Sequence, residues 1–435
     1  MLISFDVRNF RSIRADAHLS MLAEKGDKAG AVSLIQRKIS SKEIQLSLVP
    51  SVAIYGPNGS GKSNILQAMD YMDTAVIRSH AFWKPNSGTH LSQFAFGDES
   101  DDLSVFNIDF VVDSVRFNYG FSATKKVFRE EWLYFYPNNR EKLIFSRITE
   151  EAGEGKYKSF INTGTKVKEA RNLKDCEKRV RENSLVVSAA AQDGQEAALI
   201  VTEWFRERFA LIDARASYED MDVSFTSSLI ANANFSNEAL RYIQVADPRV
   251  LRIKVEERKK PEFLEKLEQA IGSIPEFIKE MGKYEVTFVY EKEDGSETEL
   301  SLESQSRGTT RLYGMCGWIA AALVNGNVLA IDEIESSLHP HLSQFIIDLF
   351  QNPETNPNGA QLIFTTHDTN ILDADILRRD QIWFVEKGKI GDTHLYPLTD
   401  YSPRKDENLQ RGYLRGRYGA IPALGLSETW IKTQN

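Results

Sequence analysis

The sequence has 435 residues, more than a single hydrophobic core ordinarily holds, so two or three lobes are expected. A composition of 42% hydrophobic and 26% charged residues is typical of a globular protein in water, and a net charge of −9 argues against a globally basic nucleic-acid binder. Two cysteines, Cys176 and Cys316, imply no disulfide framework and suit a reducing cytosol, and because neither has a CxxC partner we expect no zinc site built on cysteine.

The N-terminal residues predict a strand rather than a targeting segment. Residues 1–8 alternate apolar and polar side chains, whereas a signal peptide needs a continuous apolar core. The most apolar stretch of the chain, residues 315–331, is interrupted by Asn325-Gly326-Asn327 and is too short to span a bilayer. We therefore expect a cytoplasmic protein with no membrane partner.

A complete phosphate-binding loop occupies residues 56–63. It lies between an apolar run at 51–55, which predicts a buried strand, and a helical pattern that starts at Asn64. Its glycines allow backbone N–H groups to turn inward around an anion, and the helix start adds partial positive charge. Lys62 is expected to contact the β- and γ-phosphates of ATP, and the Ser63 hydroxyl to ligate Mg²⁺. The candidate nucleotide-binding residues of this segment are Gly56, Asn58, Gly59, Ser60, Gly61, Lys62, Ser63 and Asn64.

A β-rich segment follows the first helix. Residues 105–112 and 115–121 have the pattern of neighbouring strands, are joined by Asp113-Ser114, and are followed by another apolar run. This pattern predicts an antiparallel β lobe over about residues 90–150.

Residues 165–280 show a different pattern, with more charge and with apolar residues at helical spacing. Ala197, Ile200 and Trp204 would share one face of a helix, and Pro261 suits the first position of another. No heptad repeat is sustained, so a long coiled-coil arm is not supported. The segment is therefore predicted to be a helical insertion.

Strands return from Tyr284, with a hairpin predicted across Asp294-Gly295-Ser296. The last third then alternates, with a helix at 308–324, a strand at 327–331, a helix at 339–351, and strands at 361–365 and 381–386. Such alternation is typical of a parallel sheet covered by helices. The predicted division is an N-terminal half of the nucleotide-binding domain at 1–164, the helical insertion at 165–280 and a C-terminal half at 281–435.

Two further strand ends complete the predicted nucleotide site. The all-apolar run at 328–331 is followed by Asp332 and Glu333, and open α/β sheets bind ligands at the C-terminal ends of their strands. Asp332 is placed to hold Mg²⁺, and Glu333 to polarise the attacking water as general base. His367 ends the next apolar strand, where its ring can bond the γ-phosphate and the water. The predicted catalytic residues are Glu333 and His367, and the predicted metal ligands are Ser63 and Asp332.

These segments, in this order, resemble the ABC-type ATPase heads of the SMC and RecF kind. The resemblance covers the phosphate loop, the acidic strand end, a D-loop at residues 335–340 and a switch histidine. That family also has a signature loop that begins a helix. Residues 304–311 occupy its place and keep Ser306 and Gly308, with Arg307 between them. The resemblance implies an α/β fold of the P-loop NTPase class, an ABC-type head with an antiparallel β lobe and a helical insertion.

A closer resemblance is to bacterial ATPases of the abortive-infection and restriction-associated kind, related to the ATPase head of overcoming-lysogenization-defect nucleases. It rests on Asn9-Phe10-Arg11-Ser12, on Glu303 with the signature residues, and on residues 413–422. In that family two heads enclose two ATP molecules, and each signature serine contacts the nucleotide held by the other subunit. The resemblance implies that Ser306 and Gly308 bind ATP across a dimer, and that Arg11 lies near the nucleotide or the dimer seam.

The implied function is that of an ATP- and Mg²⁺-dependent ATPase that dimerises and acts as a sensor or scaffold in anti-phage defence. It would control a separate effector encoded nearby, such as a nuclease. A higher even oligomer, nucleic acid and a phage protein are further candidate partners. Overcoming-lysogenization-defect proteins carry a metal-dependent nuclease after the head. Among the 68 residues that follow His367 we identify no glutamate followed by an Asp-x-Asp cluster, and we expect that this chain itself does not cut nucleic acid.

Two alternatives remain open. One is a RecF- or SMC-like repair clamp that grips DNA; a steep loss of DNA binding with salt would favour it, whereas a protein partner retained at high salt would favour the defence scaffold. The other, the motor subunit of a membrane transporter, fits poorly because the full glycine-rich signature is absent. The candidate DNA surface consists of Arg411, Tyr413, Arg415, Arg417 and Tyr418, with Arg171, Lys174, Lys178, Arg179 and Arg181.

Overall fold

The fold contains two large β-sheets, each formed by strands from distant parts of the chain. The computed structural model describes residues 1–25, 33–39, 44–97, 103–153, 155–165, 167, 170, 172–214, 219–232, 235–258, 283–373, 376–404 and 407–422. The strands within these ranges are β1 (Leu2–Arg8), β2 (Ala17–Ser20), β3 (Ile35–Ile39), β4 (Ile44–Leu48), β5 (Ser51–Tyr55), β6 (Ser104–Val112), β7 (Val115–Ala123), β8 (Phe128–Phe135), β9 (Lys142–Glu151), β10 (Tyr157–Thr163), β11 (Phe209–Ile212), β12 (Val250–Glu257), β13 (Tyr284–Glu291), β14 (Glu297–Ser301), β15 (Val328–Ile331), β16 (Gln361–Thr366), β17 (Ile382–Lys387) and β18 (Thr393–Pro397). The α-helices are α1 (Lys62–Arg78), α2 (Val186–Gln192), α3 (Glu196–Arg208), α4 (Glu219–Asn232), α5 (Ser236–Ala246), α6 (Arg307–Asn325), α7 (Pro340–Gln351), α8 (Asn370–Asp373) and α9 (Leu409–Leu414).

The central sheet brings distant segments together at one edge. Its strand order is β11-β15-β16-β5-β17-β18, with β18 antiparallel to β17 and the other pairs parallel. The strands β5, β15 and β16 are buried along their whole length, which explains their apolar runs. Because these three neighbours are parallel, the segments that follow them meet at the same edge of the sheet.

Both faces of the central sheet are covered. On one face, Val52 and Ile54 belong to a core shared with α1 and the antiparallel sheet. On the other face, Ala53 and Tyr55 belong to a core shared with α6 and α7. Successive side chains of β5 therefore enter different cores, as expected for a sheet that lies between two layers. The fold is α/β with a second, antiparallel sheet, as the sequence predicted.

The antiparallel sheet has the strand order β10-β9-β8-β7-β6-β1-β2. Asp113 and Ser114 have positive φ values of 45° and 63° and connect the paired residues Val112 and Val115, so the predicted hairpin is confirmed. The sheet is larger than the lobe predicted at 90–150, because β1 and β2 extend one edge and β10 the other. Pairing between distant segments such as β1 and β6 leaves no local sequence signal.

The predicted helical insertion contains strands as well as helices. The helices α2 to α5 lie within it, but β11 pairs with β15 as an edge strand of the central sheet, and β12 pairs with β13 in the three-stranded sheet β12-β13-β14. The prediction of a helical insertion missed these two strands. Strand β11 follows α3 directly and, with four residues, is too short to show its own period. The helix predicted at Pro261 lies outside the described residues. The boundaries at 164 and 280 stay predictions.

The alternation predicted for the last third is confirmed. Helix α6 ends at Gly326, whose φ of 66° forms the C-cap, and β15 follows it. The apolar stretch at 315–331 is thus a helix followed by a strand. Within the described ranges, no helix has the length and apolarity needed to cross a membrane.

Candidate functional site

The phosphate loop turns between β5 and α1 in a space that only glycine fits. Gly59 and Gly61 adopt positive φ values of 71° and 108°. A Cβ on Gly56 would lie 2.2 Å from Val385 O, and one on Gly61 would lie 2.1 Å from the hydroxyl oxygen of Thr393. These glycines therefore define the path of the loop into the first turn of α1. The dipole of that helix favours an anion at this position.

Lys62 is buried at the centre of the site. Its Nζ donates hydrogen bonds to Gly56 O (2.8 Å) and Pro57 O (3.3 Å), and lies 3.0 Å from His367 Nε2. Burial lowers the pKa of Lys62, and nearby carboxylates, chiefly that of Glu333, act in the opposite direction. Because an ammonium can only donate, a charged Lys62 requires Nε2 to be the acceptor, which fits a neutral imidazole.

His367 is held through its ring and through its backbone. Burial and then the charge of Lys62 lower the pKa of His367, which favours the neutral ring at pH 7. Its backbone N–H donates to Glu335 Oε1 at 2.5 Å. The other carboxylate oxygen of Glu335 is buried and has no hydrogen-bond partner among the described residues. The sequence placed Glu335 in the D-loop but gave no sign of this contact, which depends on the neighbouring strand.

The two predicted metal ligands are in contact. Ser63 Oγ donates to Asp332 Oδ1 at 3.0 Å and so joins the start of α1 to the end of β15. A hydroxyl and a carboxylate are hard oxygen ligands of the kind that Mg²⁺ prefers, so these residues fit the ion. Glu333 follows with a φ of 49°, a left-handed conformation that is strained for a residue with a side chain.

A buried hydroxyl that the sequence analysis missed lies between the two acids. Thr365 in β16 is fully buried. Its Oγ1 donates to Asp332 Oδ1 at 2.6 Å and accepts the backbone N–H of Glu333 at 2.7 Å. A signal for it was present in the sequence, because a threonine near the end of an otherwise apolar strand needs hydrogen-bond partners.

Hydroxyl groups from two other segments support the phosphate loop. Asn64 Nδ2 donates a hydrogen bond to Ser12 Oγ at 2.5 Å. Ser12 Oγ lies 2.7 Å from Thr393 Oγ1, and the Thr393 hydroxyl donates to Ser60 O at 2.8 Å. The side-chain amide of Asn64, which was predicted to contact the nucleotide, thus binds Ser12 beside the phosphate loop. Asn58 is exposed at the tip of the loop.

Arg11 lies beside the first half of α1. Its φ is 51°, its backbone N–H donates to Ser92 O at 2.8 Å, and its guanidinium donates to the side chain of Gln67. These residues, with aromatic side chains such as Phe10 and Trp83, line a groove of about 550 Å³. The predicted role of Arg11 near the nucleotide or a dimer seam stays a prediction.

The signature segment begins α6 and packs on the D-loop of the same chain. Ser306 is the N-cap of α6, and its Oγ accepts the Thr309 N–H at 3.1 Å. A Cβ on Gly308 would lie 2.7 Å from Ser337 O, so glycine permits this close approach. Ser306 is exposed, and no hydrogen bond of the described residues joins it to the phosphate loop. The predicted residues that the structure brings together are Lys62, Ser63, Asp332, Glu333 and His367.

The predicted DNA-binding surface is wrong in its aromatic part. Tyr413 and Tyr418 are buried, with their ring centroids 5.4 and 5.8 Å from that of Phe384 in the central sheet. Arg417 pairs with Glu407 at 2.6 Å. Burial of the tyrosine rings removes the stacking platforms that single-stranded bases would use.

The basic run before α2 is also engaged within the chain. Arg179 forms an ion pair with Asp193 at 2.5 Å. Arg181 donates to backbone carbonyls that follow α1, including those of Ser79 and His80. Arg171 lies outside the described residues. These contacts give Arg179 and Arg181 structural roles, whereas Lys174 and Lys178 are exposed.

The folded site defines a class of protein. A phosphate loop follows β5, an acidic pair follows β15 and a histidine follows β16, all at one edge of a parallel sheet, while an N-capping serine begins α6. This arrangement is the fold of a P-loop NTPase.

The chain belongs to the family described as "AAA domain, putative AbiEii toxin, Type IV TA system", which matches residues 51–373. The match includes the phosphate loop, the acidic strand end and the histidine. No curated protein gives a significant match to the sequence.

Several solved structures are similar to the chain at low identity. The Smc head bound to the C-winged helix domain of ScpA is 14% identical, with a TM-score of 0.44, over 91% of this chain and 97% of that chain. The Smc head domain with an extended coiled coil, bound to the C-terminal domain of ScpA derived from Pyrococcus furiosus, is 12% identical, with a TM-score of 0.41, over 96% and 98%. The protein cbiO1 from Clostridium perfringens, part of the ABC transporter complex cbiONQ, is 12% identical, with a TM-score of 0.31, over 96% and 97%.

An Asp-x-Asp sequence, Asp373-Ala374-Asp375, follows the histidine, but no glutamate lies between them. It therefore does not contradict the prediction that no glutamate is followed by such a cluster there. Ala374 and Asp375 lie outside the described residues. Among the residues that are described, no group of three or more His, Cys, Asp or Glu side chains could hold a metal ion. That this chain does not cut nucleic acid stays a prediction.

Proposed function

We propose that the chain binds ATP with Mg²⁺ and hydrolyses it to ADP and phosphate at the carboxyl edge of the central sheet. The observation that carries the proposal is the convergence there of Lys62, Ser63, Asp332, Glu333 and His367. They supply a cation, two oxygen ligands, a carboxylate and a neutral imidazole, which are the groups that phosphoryl transfer requires.

Lys62 and the loop supply the charge that binds the triphosphate. The ammonium now contacts carbonyl oxygens and His367, and it would exchange some of these contacts for phosphate oxygens. Ser60 Oγ is buried without a hydrogen-bond partner among the described residues, which suits a contact to phosphate. Ser63 and Asp332 would hold Mg²⁺, whose charge stabilises the phosphates when it is bound.

Glu333 is the proposed general base. Its carboxylate accepts a proton from water while the water oxygen bonds to the γ-phosphorus and the bond from that phosphorus to the bridging oxygen of ADP breaks. His367 is neutral at pH 7 and positions the water through a ring nitrogen. The proton passes from Glu333 to solvent when phosphate leaves.

The second surface of the nucleotide site is proposed to come from another copy of the chain. Ser306 is exposed at the N-terminus of α6, and its hydrogen bonds within the described residues go to Thr309 and Thr310 rather than to the phosphate loop. An N-terminal helix tip with an exposed hydroxyl suits a phosphate. Two copies, or a higher even number, would then enclose ATP between Lys62 of one and Ser306 and Gly308 of the other.

The biological role is proposed from the family. Its description as a putative AbiEii toxin of a type IV toxin–antitoxin system supports a function in abortive infection, and the resemblance to overcoming-lysogenization-defect heads agrees with it. ATP-driven closure would act as a sensor or scaffold in the cytoplasm and control a separate effector, such as a nuclease. Nucleic acid or a phage protein would be the trigger. The repair clamp is not favoured, because the tyrosines of its candidate surface are buried.

The test is nucleotide binding and turnover by the purified chain. Wild-type protein should bind a fluorescent ATP analogue and release phosphate from ATP when Mg²⁺ is present. Lys62→Ala should weaken binding by roughly 10- to 100-fold, since a hydrogen bond to a charged group contributes about 1.5–3 kcal/mol. Lys126→Ala, which removes an exposed lysine, is the matched control. Wild-type affinity in Lys62→Ala would overturn the proposal.

A further inference from the structure

One buried hydroxyl connects the two acids that follow β15. Thr365 lies on the adjacent strand β16, and its side chain is wholly shielded from solvent. The Oγ1 atom is 2.6 Å from Asp332 Oδ1 and 2.7 Å from the backbone nitrogen of Glu333. Both distances are in the normal range for strong hydrogen bonds.

The direction of each hydrogen bond is fixed by chemistry. The Glu333 nitrogen can only donate, so Thr365 Oγ1 accepts there through a lone pair. The single hydroxyl proton is then free to point to the carboxylate of Asp332. Ser63 donates to the same Oδ1 atom. Asp332 is therefore oriented from two sides, by Ser63 in α1 and by Thr365 in β16.

Thr365 also supports the turn that carries Glu333. That turn has a left-handed φ of 49°, which an L-residue with a side chain adopts only when its surroundings require it. The hydroxyl of Thr365 binds the N–H of Glu333, and its carbonyl oxygen accepts the N–H of Ile334 at 3.1 Å. Both backbone groups that begin the turn are thus held by one residue.

We propose that Thr365 is a positioning residue that fixes the metal-binding carboxylate of Asp332 and the base Glu333 relative to each other. The inference rests on the proposed function and deepens it. Loss of the hydroxyl would leave Asp332 held by Ser63 alone and would remove the hydrogen bond to the Glu333 N–H. Partners of metal ligands typically contribute 10- to 100-fold to metal affinity or activity. Metal affinity and turnover should therefore fall together, while nucleotide binding through Lys62 without metal is retained.

The experiment compares three variants of the full chain. Thr365→Val keeps the shape and removes the hydroxyl, Thr365→Ser keeps the hydroxyl, and Thr202→Val is the control. Thr202 is a buried threonine in α3 whose hydroxyl binds the carbonyl of Ala198, away from the nucleotide. Each is measured for kcat, KM, the Mg²⁺ concentration at half-maximal rate, affinity for a fluorescent ATP analogue in EDTA, and melting temperature.

In Thr365→Val, kcat should fall and the Mg²⁺ requirement should rise, each by about 10- to 100-fold. Its affinity for the analogue in EDTA should equal that of the wild type. Thr365→Ser should restore both quantities to within about threefold, because it retains the donor and the acceptor. Thr202→Val should keep the wild-type kcat. Wild-type kcat and Mg²⁺ dependence in Thr365→Val, or equal losses in Thr365→Ser and Thr365→Val, would overturn the proposal.

A direct metal measurement separates this inference from the proposed function. Binding of Mn²⁺ in the presence of ADP, followed by electron paramagnetic resonance, needs no turnover. Weaker Mn²⁺ binding in Thr365→Val alone supports the positioning role even if the wild-type chain released no phosphate, a result that would refute only the hydrolysis. Unchanged Mn²⁺ binding would overturn the role. If Thr365→Val does not fold, Thr365→Cys, with its weak donor and acceptor, takes its place with the same two outcomes.

Discussion

The carboxyl edge of the central sheet and the tip of α6 differ in which parts of the chain their polar groups contact. At the sheet edge, Asp332 accepts hydrogen bonds from Ser63 and from Thr365, and Lys62 is surrounded by acceptors. At the tip of α6, Ser306 is exposed and bonds within its own first turn. Packing of one chain thus brings the residues of the first half of the site together, and we propose that another copy supplies the second half.

The largest expected effect comes from removing the proposed general base at the carboxyl edge of the central sheet. Glu333→Gln should lower kcat by about 10²- to 10⁴-fold, the usual contribution of a general base. ATP affinity should remain within about threefold of the wild type, because Lys62 and the loop are unchanged. Phosphate release and light scattering with ATP would measure turnover and the persistence of a closed dimer. Glu354→Gln changes an exposed glutamate and is the control; turnover in Glu333→Gln equal to that of the control would contradict the assignment.

The next effect tests whether the tip of α6 acts on another copy. Ser306→Ala should lower kcat by roughly 10- to 100-fold, the value of one hydrogen bond to a charged phosphate. A mixture of Lys62→Ala with Ser306→Arg gives a sharper result. Each mixed dimer has one site with both residues intact, so an equal mixture should regain roughly a quarter of wild-type activity. If mixed dimers form and remain inactive, Ser306 does not act across the interface.

The smallest expected effect is the pH dependence of the hydrolysis rate that arises from His367 at the carboxyl edge of the sheet. Burial and Lys62 place the pKa of His367 below its ordinary value of 6.5. The rate should be constant from about pH 6.5 to 8 and fall by up to about tenfold per unit at lower pH, as the ring gains a proton. His367→Gln should lose this acidic limb, and His341→Gln, at an exposed site, should keep it. An identical acidic limb in His367→Gln would assign the titration to another group.

The same shift affects stability, with a definite sign. The folded chain binds a proton at His367 less readily than the unfolded chain does. The contribution of His367 to the free energy of unfolding is therefore fully present above about pH 6.5. It is lost as the pH falls from there through the lower pKa of the folded chain. Urea unfolding of the wild type and His367→Gln between pH 5 and 8 would measure it.

The sequence predicted those parts of the site that are local in the chain. The phosphate loop is contiguous, and Asp332 and Glu333 follow one apolar strand, so pattern alone located them. The contacts of Thr365 and Glu335 were missed because their partners lie on neighbouring strands or loops. A threonine in an apolar strand signals a need for hydrogen-bond partners, but the sequence pattern does not identify them. Tyr413 was misjudged for a different reason, since alternating arginine and tyrosine describe a surface and a packed segment equally well.

The position of β5 has a consequence for how the protein is made. This strand, which leads into the phosphate loop, pairs with β16 on one side and β17 on the other. On the ribosome it therefore has neither of these partners until residues 361–366 have been synthesised, whereas β7 to β10 can each pair with the strand before them as they emerge. Long-range parallel pairing is slow and leaves strand edges open to aggregation. The nucleotide pocket is thus completed late in synthesis, and a chain interrupted before β17 would expose its most apolar strands.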